Sequence, residues 1–264
     1  MDLQTLFNLH NKTVVITGGA GYLGSAMSEV LVANGARLYI MGKDHKKNKE
    51  FADKLRKKYG SARCESVTFD IDSKESIETA VNDIIQKEEC IDVLINNAAY
   101  SCSRPLHEYT DDEWEQGING TINGVYRVTK CVLPYMMEAK KGNVINIAST
   151  YGMVAPDMSI YGNSGQNNPA NYGAGKAAII QLTKYIASVY AKYGIRANSI
   201  SPGPFPNESV QKDKVFIENL CKKNPMQRIG KPKDLQGIIL YLASDASSYT
   251  NGQNIAVDGG WTAW

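Results

Sequence analysis

Residues 13–24 read Thr13-Val-Val-Ile-Thr-Gly-Gly-Ala-Gly-Tyr-Leu-Gly24. The first five are β-branched, which is typical of a strand, and the glycines after them favour a tight turn into a helix. Glycine lets the backbone approach a pyrophosphate, whose charge is stabilised by the free N–H groups at a helix N-terminus. A turn without a ligand is the alternative, but the position after the first strand favours a dinucleotide site.

The same alternation of short apolar runs and longer amphipathic segments continues along the chain. The predicted strands are Thr13–Thr17, Arg37–Met41, Glu65–Phe69, Ile91–Ile95, Asn143–Ala148, Arg196–Ile200 and Asn254–Val257. The predicted helices are Leu23–Asn34, Lys46–Tyr59, Lys74–Lys87, Asp111–Met137, Tyr172–Tyr193 and Lys233–Ala243. Several strands are apolar throughout, as in a parallel sheet that is covered on both faces. We therefore predict one α/β domain, residues 1–264, with a doubly wound Rossmann-type parallel sheet of about seven strands and helices on both faces.

Composition and charge exclude several other classes of protein. The 264 residues are 43% hydrophobic, enough for one substantial core, and carry a net charge of +2. The one dense basic stretch, residues 43–58, is interleaved with acidic residues, so we predict no nucleic-acid surface. Five scattered cysteines and three scattered histidines indicate neither a disulfide framework nor a metal site. Because no signal-like or membrane-spanning segment is visible, we expect a soluble, cytoplasmic protein.

The predicted chemistry lies in Ser149 and in Tyr172-Gly-Ala-Gly-Lys176. Of three Tyr-x-x-x-Lys pairs, one begins at Tyr39 in a predicted strand and one at Tyr126 in a helix with the pattern of core packing. Tyr172 instead follows a strand that ends in serine and a long polar loop, as expected at the carboxyl edge of a parallel sheet. Residues i and i+4 share one helix face, so the Lys176 ammonium can stabilise a phenolate.

The choice of cofactor depends on the end of the second predicted strand, Met41-Gly42-Lys43-Asp44. An acidic residue at this point binds the ribose 2′-OH of NAD(H), whereas a small residue followed by a cation accommodates the 2′-phosphate of NADP(H). Gly42 and Lys43 therefore favour NADP(H), while Asp44 keeps NAD(H) open.

These residues together resemble the short-chain dehydrogenase/reductase family across nearly the whole chain. The motifs occur in the family's order: the glycine-rich turn, Asp70, Asn96-Asn-Ala-Ala99, Ser149, Tyr172 with Lys176, Pro202-Gly203 and Val257-Asp-Gly-Gly260. The resemblance implies a nicotinamide-dependent oxidoreductase that interconverts a carbonyl and an alcohol. In such an enzyme Tyr172 exchanges the proton and Ser149 holds the reacting oxygen, while Lys176 lowers the tyrosine pKa and binds the nicotinamide ribose.

The resemblance also implies the residues that hold the cofactor. Asp70 would contact adenine, Asn97 and Ala98 the adenosine side, and Pro202-Gly203 the carboxamide. The expected set is Gly18, Gly21, Tyr22, Leu23, Gly24, Gly42, Lys43, Asp70, Ile71, Asn97, Ala98, Ala99, Tyr172, Lys176, Pro202, Gly203 and Phe205. Tyr22 departs from the compact members, which have glycine at its position. The observed glycine spacing is similar to the extended, sugar-nucleotide-modifying branch, although the chain length and the terminal motif favour the compact branch.

Position 121 is a second departure. Many relatives place a catalytic asparagine, which anchors a proton-relay water, seven residues after a tryptophan, and counting from Trp114 gives Thr121. Asn119 and Asn123 flank this position but lie about 200° away around a regular helix. We therefore assign the water-binding role to the Thr121 hydroxyl, with a bulge that brings an asparagine to the water as the alternative.

Two loops are expected to contact the substrate. The interval between Ser149 and Tyr172 is longer than is usual in the family and contains Ser159-Ile-Tyr-Gly-Asn-Ser-Gly-Gln-Asn-Asn-Pro-Ala170. Its hydrogen-bonding composition favours a polar, hydroxyl-rich substrate, with a surface loop that makes no substrate contact as the alternative. Residues 202–227 are predicted to form a mobile lid with a helical part, in which Asn207 replaces a common threonine.

The long loop, Ser201-Pro-Gly-Pro-Phe-Pro-Asn207 and Gly260-Trp-Thr-Ala-Trp264 are most similar to oxidoreductases of the flagellin modification protein A type. This narrower resemblance implies a small, sugar-derived substrate, that is a sugar, sugar phosphate or sugar nucleotide of surface-glycan biosynthesis. A 3-oxoacyl reductase is the alternative enzyme. A catalytically impaired, cofactor-binding regulator is the alternative of another class, since the usual asparagine is absent.

The family resemblance further implies a homodimer or homotetramer. The faces of the predicted helices Asp111–Met137 and Tyr172–Tyr193 would supply the contact between subunits. Trp261 and Trp264 are expected to be exposed and to reach a neighbouring subunit.

Overall fold

The computed structural model describes residues 3–60, 63–162 and 167–263. Its strands are β1 (Thr13–Thr17), β2 (Arg37–Gly42), β3 (Cys64–Thr68), β4 (Val93–Asn96), β5 (Gly142–Ile147), β6 (Ile195–Pro202) and β7 (Asn254–Val257). In the described part of the chain they form one seven-stranded sheet in the order β3-β2-β1-β4-β5-β6-β7. Every neighbouring pair is parallel. This confirms the predicted doubly wound parallel sheet.

Helices connect the strands and cover both faces of the sheet. They are α1 (Leu3–Leu6), α2 (Tyr22–Ala33), α3 (His45–Tyr59), α4 (Lys74–Glu88), α5 (Asp111–Ile118), α6 (Gly124–Glu138), α7 (Ala170–Val189), α8 (Lys214–Lys223) and α9 (Gln236–Ala243). A π-helical segment, Asn119–Asn123, joins α5 to α6, so the predicted long helix is interrupted. Among the described residues, none of these helices is long and apolar enough to cross a bilayer.

Alternation along the strands divides the core into two layers. Val14 and Ile16 of β1 point into one apolar cluster, which α2 and α9 complete. Val15 points to the other side, into a cluster that α4, α6 and α7 complete. Because successive side chains of a strand face opposite sides of the sheet, an all-apolar strand requires helices on both faces.

Strands β2 and β3 extend the sheet on one side of β1, and β4 to β7 extend it on the other side. The strand order therefore reverses between β1 and β4. In open parallel sheets the connections diverge at such a point and leave a crevice outside the carboxyl ends of the strands. The loops after β1, β4, β5 and β6 all leave the sheet at this edge. The topology therefore brings together the segments that carry the predicted site residues.

A smaller apolar cluster stands beside this edge and forms what we term the cap: residues 150–162 of the long loop and helix α8. Ile160 and Tyr161 pack with Phe216 and Leu220 of α8. Trp261 belongs to the same cluster and is only 8% exposed, so the prediction that this side chain is exposed is wrong. The turn after β7 folds the chain back beneath the cap and buries this side chain. Trp264 and loop residues 163–166 lie outside the described residues.

Candidate active site

A cleft of about 560 Å³ opens at the carboxyl edge of the sheet. It is lined by Gly18, Gly21, Tyr22, Leu23, Gly24, Asn97, Ala98, Ala99, Ile147, Ala148, Ser149, Tyr172, Lys176, Pro202, Gly203, Phe205 and Asn207. Most of the site residues predicted from the sequence therefore meet in one cavity. Gly42, Lys43, Asp70, Ile71 and Thr121 are not part of its lining.

The turn between β1 and α2 needs glycine at two positions for different reasons. Gly18 has a φ of 64°, in the left-handed region that side chains disfavour. A Cβ added at Gly24 would lie 2.2 Å from the Gly18 carbonyl oxygen, so the helix could not approach the turn this closely with any other residue. The Asn97 side chain holds the turn by donating hydrogen bonds to the carbonyl oxygens of Thr17 and Gly18, at 3.0 and 3.1 Å.

The start of α2 is suited to a pyrophosphate. Gly21 is the N-cap residue and has no side chain to accept hydrogen bonds from the first-turn N–H groups. These donors, together with the positive end of the helix dipole, form an anion site at the wall of the cleft. The cleft and its glycine turn therefore fit a dinucleotide, and Gly18, Gly21 and Gly24 would hold its phosphates.

Ser149 is the second residue after β5 and is 5% exposed. Its Oγ accepts a hydrogen bond from the Tyr151 backbone N–H at 3.1 Å, which fixes the side chain at the start of a short 3₁₀ turn. Because an oxygen that accepts in this way keeps its own proton, the hydroxyl can still donate to a reacting oxygen.

Tyr172 and Lys176 lie one turn apart on α7. The Lys176 Nζ is 5.5 Å from the centre of the Tyr172 ring and donates a hydrogen bond of 2.7 Å to the Ile147 carbonyl oxygen at the end of β5. Lys176 is only 3% exposed, and this burial lowers its pKa to about 8. The ammonium is therefore fixed in the floor of the cleft.

Burial raises the pKa of Tyr172, a hydrogen bond with the Ser149 side chain lowers it, and the nearby Tyr151 phenol raises it. The sequence interpretation assigned the lowering of this pKa to Lys176, and the hydrogen bond with Ser149 is a further lowering contribution that it did not include. The Lys176 ammonium is held by the Ile147 carbonyl. A phenol with a raised pKa is protonated at neutral pH, so this form of the site is ready to donate a proton to a carbonyl oxygen.

The residues predicted to choose the cofactor lie beyond the cleft lining, at the ends of β2 and β3. The Lys43 ammonium forms an ion pair of 2.9 Å with the Asp70 carboxylate. The Asp44 side chain caps α3 by accepting a hydrogen bond from the Lys47 N–H at 2.9 Å. Gly42 packs against the Asn48 side chain, which occupies the space that a side chain at position 42 would need. Ile71 packs against Gly124 in the adjoining helix.

Thr121 lies within the π-helical segment and is fully buried. Its hydroxyl donates a hydrogen bond of 2.8 Å to the Gly117 carbonyl oxygen and packs against Gly175, next to Lys176. Asn119 and Asn123 bond to each other, at 2.6 Å, and are not part of the cleft lining. The proton of the Thr121 hydroxyl is therefore already used within the helix. The water-binding role of Thr121 stays a prediction.

The sequence interpretation did not include three residues of the cleft lining, Ile147, Ala148 and Asn207. Ile147 ends β5 and Ala148 follows it, so the rule that ligands bind at the carboxyl edge could have identified both. Asn207 accepts hydrogen bonds from the backbone N–H groups of Ser209 and Val210, both at 3.1 Å, and so shapes the loop after β6.

Comparisons with known proteins agree with this arrangement. The model of the family described as "Enoyl-(Acyl carrier protein) reductase" matches residues 19–262. The chain is 34% identical to 3-oxoacyl-(acyl-carrier-protein) reductase FabG of Thermotoga maritima, over 96% of this chain and 98% of that protein. It is 31% identical to 5-keto-D-gluconate 5-reductase of Escherichia coli K12, over 98% of both.

The fold is also similar to a solved structure. A gluconate 5-dehydrogenase from Burkholderia cenocepacia, in complex with NADP and tartrate, superposes with a TM-score of 0.90 and 29% identity over the whole of both chains. The family match, the parallel sheet and the cleft that holds Ser149, Tyr172 and Lys176 lead to one assignment. The chain belongs to the short-chain dehydrogenase/reductase family of NAD(P)-dependent oxidoreductases.

Proposed function

We propose that this enzyme uses NADP(H) to interconvert a carbonyl and a secondary alcohol in a small, hydroxyl-rich, sugar-derived substrate. The observation that carries the proposal is a pair of phenols beside the catalytic residues. The hydroxyls of Tyr151 and Tyr161 lie 3.2 Å apart, and Tyr151 follows Ser149 by two residues. Neither phenol lines the cleft itself, but Tyr151 lies near Tyr172, and a substrate that extends from Tyr172 toward the cap would meet their hydroxyls.

The phenol pair is held in place by the cap. The Tyr161 ring stacks on Phe216 of α8, with 5.4 Å between the ring centres. The Asn219 side chain donates a hydrogen bond of 3.1 Å to the Ile160 carbonyl oxygen, and Lys223 forms an ion pair of 2.7 Å with Asp157. Because packing, a hydrogen bond and an ion pair all join the loop to α8, the two phenols are held in a fixed position.

In the reductive direction, Tyr172 donates its phenolic proton to the substrate oxygen while Ser149 holds that oxygen by a hydrogen bond. When bound, the nicotinamide cofactor supplies or accepts the hydride. Lys176, fixed by the Ile147 carbonyl, places a positive charge beneath the phenol and stabilises the phenolate that forms. In the oxidative direction the phenolate removes the proton from the alcohol.

The preference for NADP(H) is supported by the ends of β2 and β3. The Asp44 carboxylate caps α3, which favours a structural role for this side chain over a bond to a ribose 2′-OH. The Lys43 side chain is 79% exposed and is the cation that would meet a 2′-phosphate. NAD(H) remains the alternative, because the Asp70 carboxylate already pairs with Lys43 and competes with a phosphate for it.

We also propose that the enzyme is a homo-oligomer through the faces of α6 and α7. These two helices enclose an apolar groove of about 340 Å³, and Tyr126 and Tyr185 on them are 49% and 57% exposed. Large exposed aromatic side chains around an apolar groove are typical of a subunit interface. A second copy of the chain is the expected occupant.

A 3-oxoacyl substrate is the second candidate, because a 3-oxoacyl reductase is among the relatives. An acyl chain would require an apolar channel, whereas the loop that follows Ser149 places the phenol of Tyr151, paired with that of Tyr161, near Tyr172. The role in surface-glycan biosynthesis stays a prediction from sequence resemblance.

The test compares kcat/KM for 5-keto-D-gluconate and for a 3-oxoacyl thioester, each with NADPH and with NADH. We expect the polyhydroxy ketone with NADPH to be the better pair. Tyr151→Phe should raise KM for the polyhydroxy ketone about five- to tenfold, since it removes one hydrogen bond, and leave a ketone without neighbouring hydroxyls unaffected. A preference for the thioester that Tyr151→Phe does not alter would contradict the proposal.

A further inference from the structure

Tyr22, which replaces a glycine of the usual family pattern, joins the two walls of the cofactor cleft. It is the first residue of α2, and its phenol oxygen accepts a hydrogen bond of 3.1 Å from Nε2 of Gln211. Gln211 lies in the 3₁₀ turn Val210–Lys212, in the loop that follows β6. The contact therefore links residues that are 189 positions apart in the sequence.

Gln211 is fixed to its own loop by two further hydrogen bonds. Its amide also donates a hydrogen bond of 2.8 Å to the Pro206 carbonyl oxygen, and its backbone N–H donates one of 3.0 Å to the Asn207 carbonyl oxygen. Asn207 in turn caps the same turn through its side chain. Because the amide is fixed to the loop, its bond to Tyr22 holds the whole segment rather than one flexible side chain.

The link joins two segments that line the cleft in which a dinucleotide would bind. Gly18, Gly21 and Gly24 line one wall, while Phe205 and Asn207 line the other. A pyrophosphate at the start of α2 would lie between these walls, next to Tyr22.

Tyr22 also has hydrogen-bonding capacity left over. Its oxygen accepts from Gln211, and no acceptor for its hydroxyl proton is found among the described residues of the chain. Burial raises the pKa of this phenol, so the proton is retained at neutral pH and can be donated to a phosphate oxygen.

We propose that Tyr22 and Gln211 form a clasp that retains the nicotinamide cofactor by fixing the loop after β6 over its pyrophosphate. Both are positioning residues, and their effect is to slow the release of the cofactor. The assignment rests on the family's use of NAD(P) and is independent of the substrate and of the preference for NADP(H).

Stopped-flow displacement tests the clasp in the full-length protein. Bound NADPH is chased with excess NADP⁺, and the loss of nicotinamide fluorescence gives the dissociation rate; NADH is measured in the same way. We expect Tyr22→Phe and Gln211→Met each to speed release about five- to tenfold, the effect of losing one hydrogen bond. The two effects should not multiply in the double variant, since both single variants remove the bond between Tyr22 and Gln211.

Tyr249→Phe is the control, because it removes a phenol that is fully exposed on the surface. Release rates equal to the wild type in both clasp variants, or effects that multiply in the double variant, would overturn the proposal. Amide hydrogen exchange of residues 205–212 provides a second measurement. Cofactor should slow this exchange in the wild type more than in Tyr22→Phe, and equal protection in the two proteins would also overturn it.

Discussion

At the scale of single residues, the proton affinity of Tyr172 is set by neighbours that act in opposite directions. Burial and the Tyr151 phenol raise its pKa, whereas the hydrogen bond with Ser149 lowers it. Alcohol oxidation needs the phenolate, so its rate rises with pH until Tyr172 is deprotonated. The two neighbours should therefore shift the pH profile in opposite directions.

We expect Ser149→Ala to move the rising limb of oxidative kcat/KM to higher pH and to reduce turnover by about a hundredfold or more, because it also removes the bond to the reacting oxygen. Tyr151→Phe should move the same limb to lower pH. Steady-state pH profiles of the two variants measure both effects. If both limbs moved in the same direction, the assignment of these pKa contributions would be incorrect.

The buried Lys176 should make folding stability depend on pH. Its pKa is lowered from 10.5 to about 8, so between these values the unfolded chain binds more protons than the folded one. Stability contributed by this site therefore rises with pH across that window, and the cost of burying the charge is fully present below it. Lys176→Met removes this dependence.

From pH 7 to pH 10, the unfolding free energy of the wild type should rise by roughly 2–3 kcal/mol relative to that of Lys176→Met. The hydrogen bond to the Ile147 carbonyl is lost at every pH and does not affect this difference. Urea unfolding of the cofactor-free proteins at several pH values provides the measurement. A gap between the two proteins that stays constant with pH would show that Lys176 is not buried as an ammonium.

At the scale of helices and strands, the strongest local patterns were predictable from the sequence. The bounds of β1 and β7 are as predicted, because turn-forming residues flank each β-rich run. A helical part of residues 202–227 was predicted and is confirmed by α8, but its bounds were not predicted, and the π-helical segment was foreseen only as the alternative of a bulge near Thr121. Residues 214–223 lie within a loop whose order depends on tertiary packing of Phe216, and one inserted residue in a helix leaves no periodic signal.

The junction of β1 and α2 gives a prediction at this scale. Gly24→Ala should weaken cofactor binding at least tenfold and destabilise the fold by about 1–3 kcal/mol, because the new methyl group meets the Gly18 carbonyl. Isothermal titration with NADPH and thermal unfolding measure the two effects. Gly237→Ala in α9 is the matched control, since its Cβ would meet nothing within 4 Å. Equal affinities in the two variants would refute the close approach.

At the scale of the whole molecule, the parallel sheet places loops from distant parts of the sequence at one edge. This explains why motif order alone located Ser149, Tyr172 and most of the cleft lining. The cap could not be foreseen in the same way, because its contacts, such as Tyr161 with Phe216, join segments with no local pattern in common. The burial of Trp261 was missed for the same reason.

The exposed groove between α6 and α7 gives the prediction for the assembly. Tyr185→Glu should shift the protein toward monomers, because it places a charge at the centre of the proposed contact. Val215→Glu is the control, since Val215 is 69% exposed on α8 and lies away from the groove. Size-exclusion chromatography with light scattering compares the masses. Dissociation by Val215→Glu but not by Tyr185→Glu would place the interface elsewhere.

We infer that Tyr172 transfers the proton while the cofactor bound in this cleft transfers the hydride. The most direct measurement is a single-turnover reaction with NADPH and 5-keto-D-gluconate, read at the nicotinamide absorbance band, for the wild type and for Tyr172→Phe. We expect the wild type to oxidise the cofactor. In Tyr172→Phe the rate of this oxidation should fall at least a thousandfold, while the affinity for NADPH is unchanged. Turnover by Tyr172→Phe at a rate close to that of the wild type would contradict it.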